Sequence, residues 1–312
     1  MRTPHDAEEE KKKKGPERME FMKTSFIVVV VAALAFLSIT ALGRWRWQGM
    51  TQGLVDRVEA GRTPMGTTRF DAVELDGLPP VVQRYFRTVL PEGTPIITGA
   101  SVEHKGGFNM GEAGDNWKPF TSRQRVVMRR PGFVWDARIA MLPGLTVNVH
   151  DAYVEGEGIL HPAILGLFSL MELRGTGEMA QGELMRFFAE AAWYPTALLP
   201  SQGVQWTGLD EHSATATMSD GPLTLSLTFT FSADGLIDVV RAEARGRTVG
   251  GQIVMRPWEG RWSNYQMRDG MRIPVTGEVA WLLPPEEGGR KPYWRGTIAD
   301  LTYDFATTAT GK

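Results

Sequence analysis

Within residues 182–194 the side chains of Glu183, Arg186 and Glu190 recur three and four positions apart. On a helix that spacing stacks them along one stripe and turns Leu184, Phe188, Ala191 and Ala192 away from it. Such a stripe has two uses. Facing water, the commoner case, it is a set of ion pairs between neighbouring turns worth about 0.2–0.5 kcal/mol each. Facing an enclosed space, two carboxylates around one guanidinium suit general acid–base work or hold the polar head of a ligand. Phe187, Trp193 and Tyr194 on the flanks of the stripe keep the second use open. A further candidate is Asp151, because the phase of Leu145, Val147 and Val149 sends Asp151 inward with Tyr153 and His150 outward with Asn148. A carboxylate on an apolar face needs a partner or a raised pKa, and an arginine or a turn at the strand end is the plain account. Neighbours on opposite faces cannot form a dyad, so His150 and Asp151 are not read as one. The candidate catalytic set is Asp151, Glu183, Arg186 and Glu190. The candidates to line a ligand space are Trp135, Phe187, Trp193, Tyr194, Trp258 and Trp281, although tryptophan is more often core than platform.

Other chemistries are excluded more readily. The chain has no cysteine, which removes disulfides, thiol nucleophiles and thiolate metal sites. His104, His150, His161 and His212 lack the spacing of metal ligands, so no metal is expected. Gly175-Thr176-Gly177-Glu178-Met179-Ala180 matches G-x-G-x-x-A, but no strand–helix–strand unit surrounds it and no acid follows at the ribose-binding distance. No cofactor is expected. With Lys+Arg 34 against Asp+Glu 36 and a formal net charge of -2, there is no basic excess for nucleic acid to recognise.

A sheet has to position these residues. Residues 223–231 alternate apolar and Ser/Thr without a break, the pattern of a half-buried strand. Turn signals at Asp220-Gly221 and Asp234-Gly235 join it to strands over 214–218 and 236–244, a three-strand meander. The same reasoning predicts strands at 133–141, with Phe133, Trp135, Ala137, Ile139 and Met141 on one face, and at 145–153. Further strands are expected near 98–109, 121–130, 252–258, 261–267, 271–281 and 293–305. Helices are expected over 78–86, 182–194 and, shorter, 162–168. About ten antiparallel strands without regular helical crossovers imply a mainly β fold. The expected architecture is a large curved antiparallel sheet or open half-barrel with one covering amphipathic helix, preceded by an N-terminal transmembrane helix.

The N-terminal sequence supplies that helix. Residues 24–43 form an apolar run broken only by small and hydroxyl residues, long enough to span about 30 Å of hydrocarbon. Trp45, Arg44, Arg46 and Trp47 follow it, residue types that settle at lipid headgroups. A retained anchor is favoured over a cleaved signal because the polar stretch ahead is long and the apolar run exceeds a signal core. The expected division is a disordered charged tail at 1–23, the anchor at 24–43, a juxtamembrane linker at 44–77, a β-rich domain at 78–307 and a tail at 308–312. Lys11 to Lys14, Arg18 and Lys23 precede the span against Arg44, Arg46, Arg57 and Arg62 after it. That bias places the N-terminus in the cytoplasm and the main domain outside.

At Trp193-Tyr-Pro-Thr-Ala-Leu-Leu-Pro-Ser201, Leu78-Pro-Pro-Val-Val-Gln-Arg-Tyr-Phe86, Pro131-Gly-Phe-Val-Trp-Asp-Ala-Arg138 and Pro257-Trp-Glu-Gly260 the chain resembles a bacterial family of unknown function. The resemblance runs from about Leu78 to Tyr303 and implies no activity, substrate or catalytic residue. In architecture alone the chain is similar to the lipoprotein-carrier folds of bacterial envelopes, which implies a curved sheet with a helical lid over an apolar cavity. Three functions are compatible with these readings. The leading one is a membrane-anchored extracytoplasmic domain that binds a lipid or other hydrophobic ligand, with the bilayer and an acyl chain as partners. The others are an enzyme acting on an envelope substrate through the Asp/Glu/Arg cluster, which requires those residues to converge, and a structural or interaction module of the envelope.

Overall fold

The computed structural model describes residues 4–111, 114–249 and 252–307, so the expected tail at 308–312 lies outside the described residues. Helix α1 (Pro4–Ala60) contains the apolar run and continues past its expected limits in both directions. Glu8 to Lys14 are good helix formers despite their polarity, and nothing between Gly43 and Thr51 interrupts the ladder. Among the described residues one helix is long and apolar enough to cross a membrane. The chain divides into two compact units, residues 1–48 and residues 49–312.

In the second unit, α2 (Pro80–Val89) starts at a proline, as a first helical turn allows. There follow β1 (Ile97–Asn109), β2 (Trp117–Val127), β3 (Gly132–Leu142), β4 (Leu145–Val154), β5 (Glu157–Ile164), β6 (Phe168–Ser169) and β7 (Leu173–Gly175). After α3 (Glu178–Ala189) come β8 (Gln205–Gly208), β9 (Ser213–Asp220), β10 (Leu223–Phe231), β11 (Ile237–Val249), β12 (Gln252–Arg268), β13 (Met271–Leu282) and β14 (Arg290–Phe305). They form one antiparallel sheet of 14 strands in the order β6-β5-β4-β3-β2-β1-β14-β13-β12-β11-β10-β9-β8, with β7 on β5. The sheet is thus two meanders joined where β1 pairs β14, from Ile97 opposite Phe305 to Phe108 opposite Trp294. Both edges, β6 and β8, are short, which limits pairing with other chains. The sheet is not closed by strand pairing. Tyr153 of β4 donates to Asp220 at the β9–β10 turn over 2.7 Å, and Arg130 reaches the same carboxylate at 3.1 Å, so side chains hold the two arms together.

Two expected elements differ. The helix expected at 162–168 is the end of β5, a turn with positive φ at Leu165 and Gly166, and β6. A short apolar run fits either element, and pairing with β4 decides here. The strands expected at 252–258 and 261–267 are the single strand β12, which runs through Gly260 in unbroken register with β13.

Helix α3 lies inside the curve, packed against β3, β4, β5 and β7 of one arm and β10 and β11 of the other. The 3-10 turns Glu190–Trp193, Pro195–Leu198 and Pro200–Gln202 carry the chain out again. Instead of covering the sheet with one face, the helix is buried almost all round from Gly182 to Ala189. Its start needs Gly158, where a Cβ would stand 2.5 Å from the Met179 backbone. Across the join, Gly106, Gly296 and Gly277 occupy facing register positions on β1, β14 and β13. The Trp262 and Trp294 rings lie over that row, 2.5 Å from where a Cβ on Gly277 would sit and 2.3 Å from one on Gly296.

The convex faces of the two arms differ. On the N-terminal arm, Leu54 and Val58 of α1 pack with Val127, Val134, Ala152, Val154 and Ile159. On the C-terminal arm the convex face carries ions: Glu259 accepts from Arg241, Arg261 and Arg290, and Glu278 from Arg290 and Arg295. Burial alone would raise the Glu259 carboxyl, but Arg290, Arg241 and Arg261 together bring it down to about 2.

Candidate functional site

The stripe on α3 faces the sheet, not water. Arg186 donates from Nε to Glu190 at 2.7 Å, from Nη1 to Asp151 at 2.6 Å and from Nη2 to Gln124 at 3.3 Å. Gln124 in turn donates to Glu190 at 2.6 Å. The guanidinium sits 4.9 Å from the ring centroids of both Phe133 and Trp135, within cation–π range of each. Burial opposes charge on Arg186, but Glu190, Asp151 and Glu183 outweigh it and hold the group protonated. The solvated-face reading of the stripe is overturned, because the same helix is enclosed by both arms.

One turn earlier Glu183 meets a second arginine that sequence reading had not singled out. Arg245 Nη2 stands 3.6 Å from Glu183 Oε1, and Arg245 Nη1 donates to the Tyr293 hydroxyl at 3.3 Å. Trp258 donates to the same hydroxyl at 2.9 Å. Arg245 is inside because β11 is irregular between Ala242 and Arg245, where its register against β12 slips. Strict alternation from the inward Ala242 would have pointed Arg245 outward. Burial, and then the charge of Asp151, push the Glu183 carboxyl well above its usual range, with Arg245 and Arg186 pulling the other way. Glu183 Oε2 and Asp151 Oδ1 are buried without another partner. A protonated Glu183 carboxyl is a donor for the neighbouring Asp151.

Beyond this network runs a string of rings: Trp135 to Phe120 at 5.8 Å, Phe120 to Trp294 at 5.7 Å, Trp294 to His104 at 5.8 Å, His104 to Trp193 at 4.8 Å and Trp193 to Trp262 at 5.0 Å. His104 is held neutral, its pKa lowered to about 3 by burial and then by Arg186. Its Nδ1 pairs with Ser122 at 3.3 Å, while its Nε2 and the Nε1 atoms of Trp135, Trp193 and Trp262 are buried with no protein partner.

The structure therefore brings Asp151, Glu183, Arg186 and Glu190 together in one buried network. Of the six aromatic candidates, Trp135, Phe187, Trp193, Tyr194 and Trp258 are packed core, and Trp281 alone is half-buried. Trp281 stacks on Tyr293 with centroids 5.8 Å apart. Toward the strand ends at Asn109, Leu142, Ile164 and Leu282 the inward positions Phe108, Met141, Leu160, Ile164 and Val279 are half-buried too. On the opposite face His150 meets Thr51 of α1 at 2.6 Å, as its outward phase requires. The G-x-G-x-x-A segment is the β7–α3 junction beside an antiparallel sheet. A surface depression lined by Pro80, Val81, Arg84, Asp210, Glu211 and His212 lies outside, at α2, apart from this network.

Residues 76–303 match the family of unknown function DUF6920. No curated protein matches the chain. Among solved structures the chain is similar to a LolA superfamily protein from Nitrosomonas europaea, at 9% identity over 73% of this chain and 93% of that one with a TM-score of 0.32. It is also similar to a beta-barrel-like protein of the domain of unknown function DUF1849 from Brucella abortus, at 10% identity over 67% of this chain and 99% of that one with a TM-score of 0.22.

Proposed function

We propose that this chain, which belongs to the family of unknown function DUF6920, is a membrane-anchored domain that takes a hydrophobic ligand into the concavity of its sheet. The reading places the domain outside the cytoplasm, with the apolar part of α1 as the span. One observation carries it. The inward face is fully packed where α3 fills it, but Phe108, Met141, Leu160, Ile164, Val279 and Trp281 beyond the helix are apolar and only half-buried. Apolar walls meeting a few fixed polar groups are the usual make-up of a small-molecule site. Here the polar groups are Arg245 and Tyr293, and among the described residues the polar contacts of Arg245 are long ones, 3.6 Å to Glu183 and 3.3 Å to Tyr293. A ligand with its chain along the apolar wall would direct its polar end there.

The test is native mass spectrometry with lipid extraction on the full chain purified in mild detergent. An acyl-chain species should accompany the wild type and fall at least tenfold in Trp281→Glu. Recovery of the same lipids from both, or of none from either, overturns the reading.

A second reading rests on the convergence of Asp151 and Glu183, each with one unpartnered buried oxygen. A carboxylic acid beside a carboxylate is an acid–base pair. Hydrolysis of a nitrophenyl acyl ester by the full chain, lost in both Asp151→Asn and Glu183→Gln, would support it. No turnover by the wild type removes it.

A further inference from the structure

Past Arg241, β11 has left β10, and before Trp258, β12 has not yet met β13, so these two stretches pair only with each other as a ribbon. One face of the ribbon carries arginines. Arg245 and Arg256 are directly opposite in register, which sets them on the same side, and Arg247 follows on that side two positions on. Like charges facing each other across a strand pair destabilise it, and here one of the two is only 8% exposed. The surroundings supply little negative charge in return. Arg256 pairs with Glu287 at 3.1 Å, Arg245 stands 3.6 Å from Glu183, and Arg247 has no ion pair among the described residues. Burial favours the proton on Glu183, so that carboxyl does not offset Arg245 in full. A buried charge needs a counter-charge, and a sequence breaks local rules of this kind characteristically at a functional site.

Aromatic rings connect this arginine face to the apolar wall. The Arg245 guanidinium lies 5.1 Å from the Trp258 ring and 6.0 Å from the Trp281 ring, and Arg247 reaches the Trp281 ring at 5.9 Å. Trp281 stacks on Tyr293, and Tyr293 meets Phe108 with centroids 6.0 Å apart. A chain lying along Phe108 and Tyr293 therefore ends at Trp281, between two guanidinium groups. Guanidinium forks recognise carboxylate and phosphate through paired N–H donors, and neither arginine has a short carboxylate partner among the described residues to fill that role.

We infer that the ligand of the concavity is an anionic amphiphile, with its carboxylate or phosphate head held by Arg245 and Arg247 and its chain lying along Trp281, Tyr293 and Phe108. The inference rests on the hydrophobic-ligand reading above and adds the charge of the head group, which apolar walls leave open. Neutral lipids of the same chain length offer the arginines no counter-charge and are disfavoured.

Three probes of equal chain length separate charge from hydrophobicity: palmitate, hexadecyl phosphate and hexadecanol. They would be presented as an equimolar mixture to the full chain in a neutral detergent and read by native mass spectrometry. One or both anions should be retained at least tenfold over the alcohol, and the better of the two names the head group. Arg245→Met should bring the anion-to-alcohol ratio to within about twofold of one, and Arg245→Lys, which keeps the charge without the fork, should restore part of the preference. An unchanged circular dichroism spectrum is the folding control. Equal retention of anions and alcohol by the wild type overturns the inference and leaves the hydrophobic-ligand reading standing. Retention of none of the three removes that reading and the inference with it. An anion preference left undiminished by Arg245→Met, or by Arg247→Met where the first variant does not fold, also overturns the inference, because the charge is then read elsewhere.

Discussion

Two buried arginines stand in the interior, Arg186 on α3 and Arg245 on β11, and their hydrogen-bond partners differ. Arg186 has a carboxylate at 2.6 Å, another at 2.7 Å, an amide oxygen at 3.3 Å and two aromatic rings at 4.9 Å. Arg245 also has two rings, Trp258 at 5.1 Å and Trp281 at 6.0 Å, but only a phenol at 3.3 Å and, at 3.6 Å, a carboxyl whose proton is favoured by burial, among the described residues. Charge-assisted hydrogen bonds between guanidinium and carboxylate close to about 2.7–2.9 Å. The first arginine is consumed by the fold and the second has capacity left over. The difference teaches that burial of a charge does not by itself tell a structural ion from a binding one, and that the count of short contacts does.

The sharpest way to break this comparison is to remove each arginine in turn. Arg186→Met leaves Asp151 and Glu190 buried without their cation and should cost about 3–5 kcal/mol in a denaturant titration. Arg245→Met should change stability by less than about 1 kcal/mol, because burial already favours the proton on its partner Glu183 and its neighbours Trp258 and Trp281 can pack a methionine. Equal losses would show that both arginines are structural.

A smaller effect sharpens the comparison from the carboxyl side. In the native state Glu183 binds its proton more readily than in the unfolded chain, where its value is near 4.5. Its stabilising contribution is therefore complete below pH 4.5 and is lost as pH rises through the native value. Glu183→Gln removes that dependence, so the variant should match the wild type near pH 4 and exceed it at pH 8. His104, lowered to about 3, works in the other direction, with stability lost as pH falls below 6.5, and cancels in the difference. A variant weaker than the wild type by the same margin at every pH would make Glu183 an ordinary carboxylate paired with Arg245. The baseline for all of these is Arg123→Ala, which breaks the exposed pair with Glu103 at 2.9 Å. It should move the unfolding midpoint by less than about 0.5 kcal/mol.

Much of the fold was legible because β alternation is a local signal. The meander from Ser213 to Val249 and the inward lane of Phe133, Trp135, Ala137 and Ile139 follow from residue period alone. Asp151 was legible for the same reason, since the lane that places Tyr153 inside places it there too. What a period cannot carry is which side of a helix is covered. Glu183, Arg186 and Glu190 form the same stripe whether water or a sheet faces them, and only the two arms closing over α3 decide it. Arg245 was hidden by the irregularity after Ala242, which reverses the alternation just before it. His104 and Gln124 had a usable signal: each is a polar residue in a lane of buried neighbours, Val102 beside one and Val126 beside the other. A polar residue at such a position is a request for a partner, and the partner came from the 3-10 turn after α3 in both cases, as a ring from Trp193 and a carboxylate from Glu190.

The position of β14 bears on how the chain can come to this structure at all. β14 is the last strand of the sheet, yet it pairs β1 on one side and β13 on the other, in the middle of the strand order. During synthesis the N-terminal arm and most of the C-terminal arm emerge as two separate half-sheets, each able to form from neighbouring hairpins. No strand pairing joins them until the final strand arrives, and its contacts with β1 span nearly the whole domain in sequence, the kind of closure that is slow. Until then the charged interior and the apolar wall stand open to solvent, and the growing chain is at its most exposed to aggregation and to proteases. A ribosome stalled before residue 290 would release a molecule that has almost all its residues and no strand pairing between its two half-sheets.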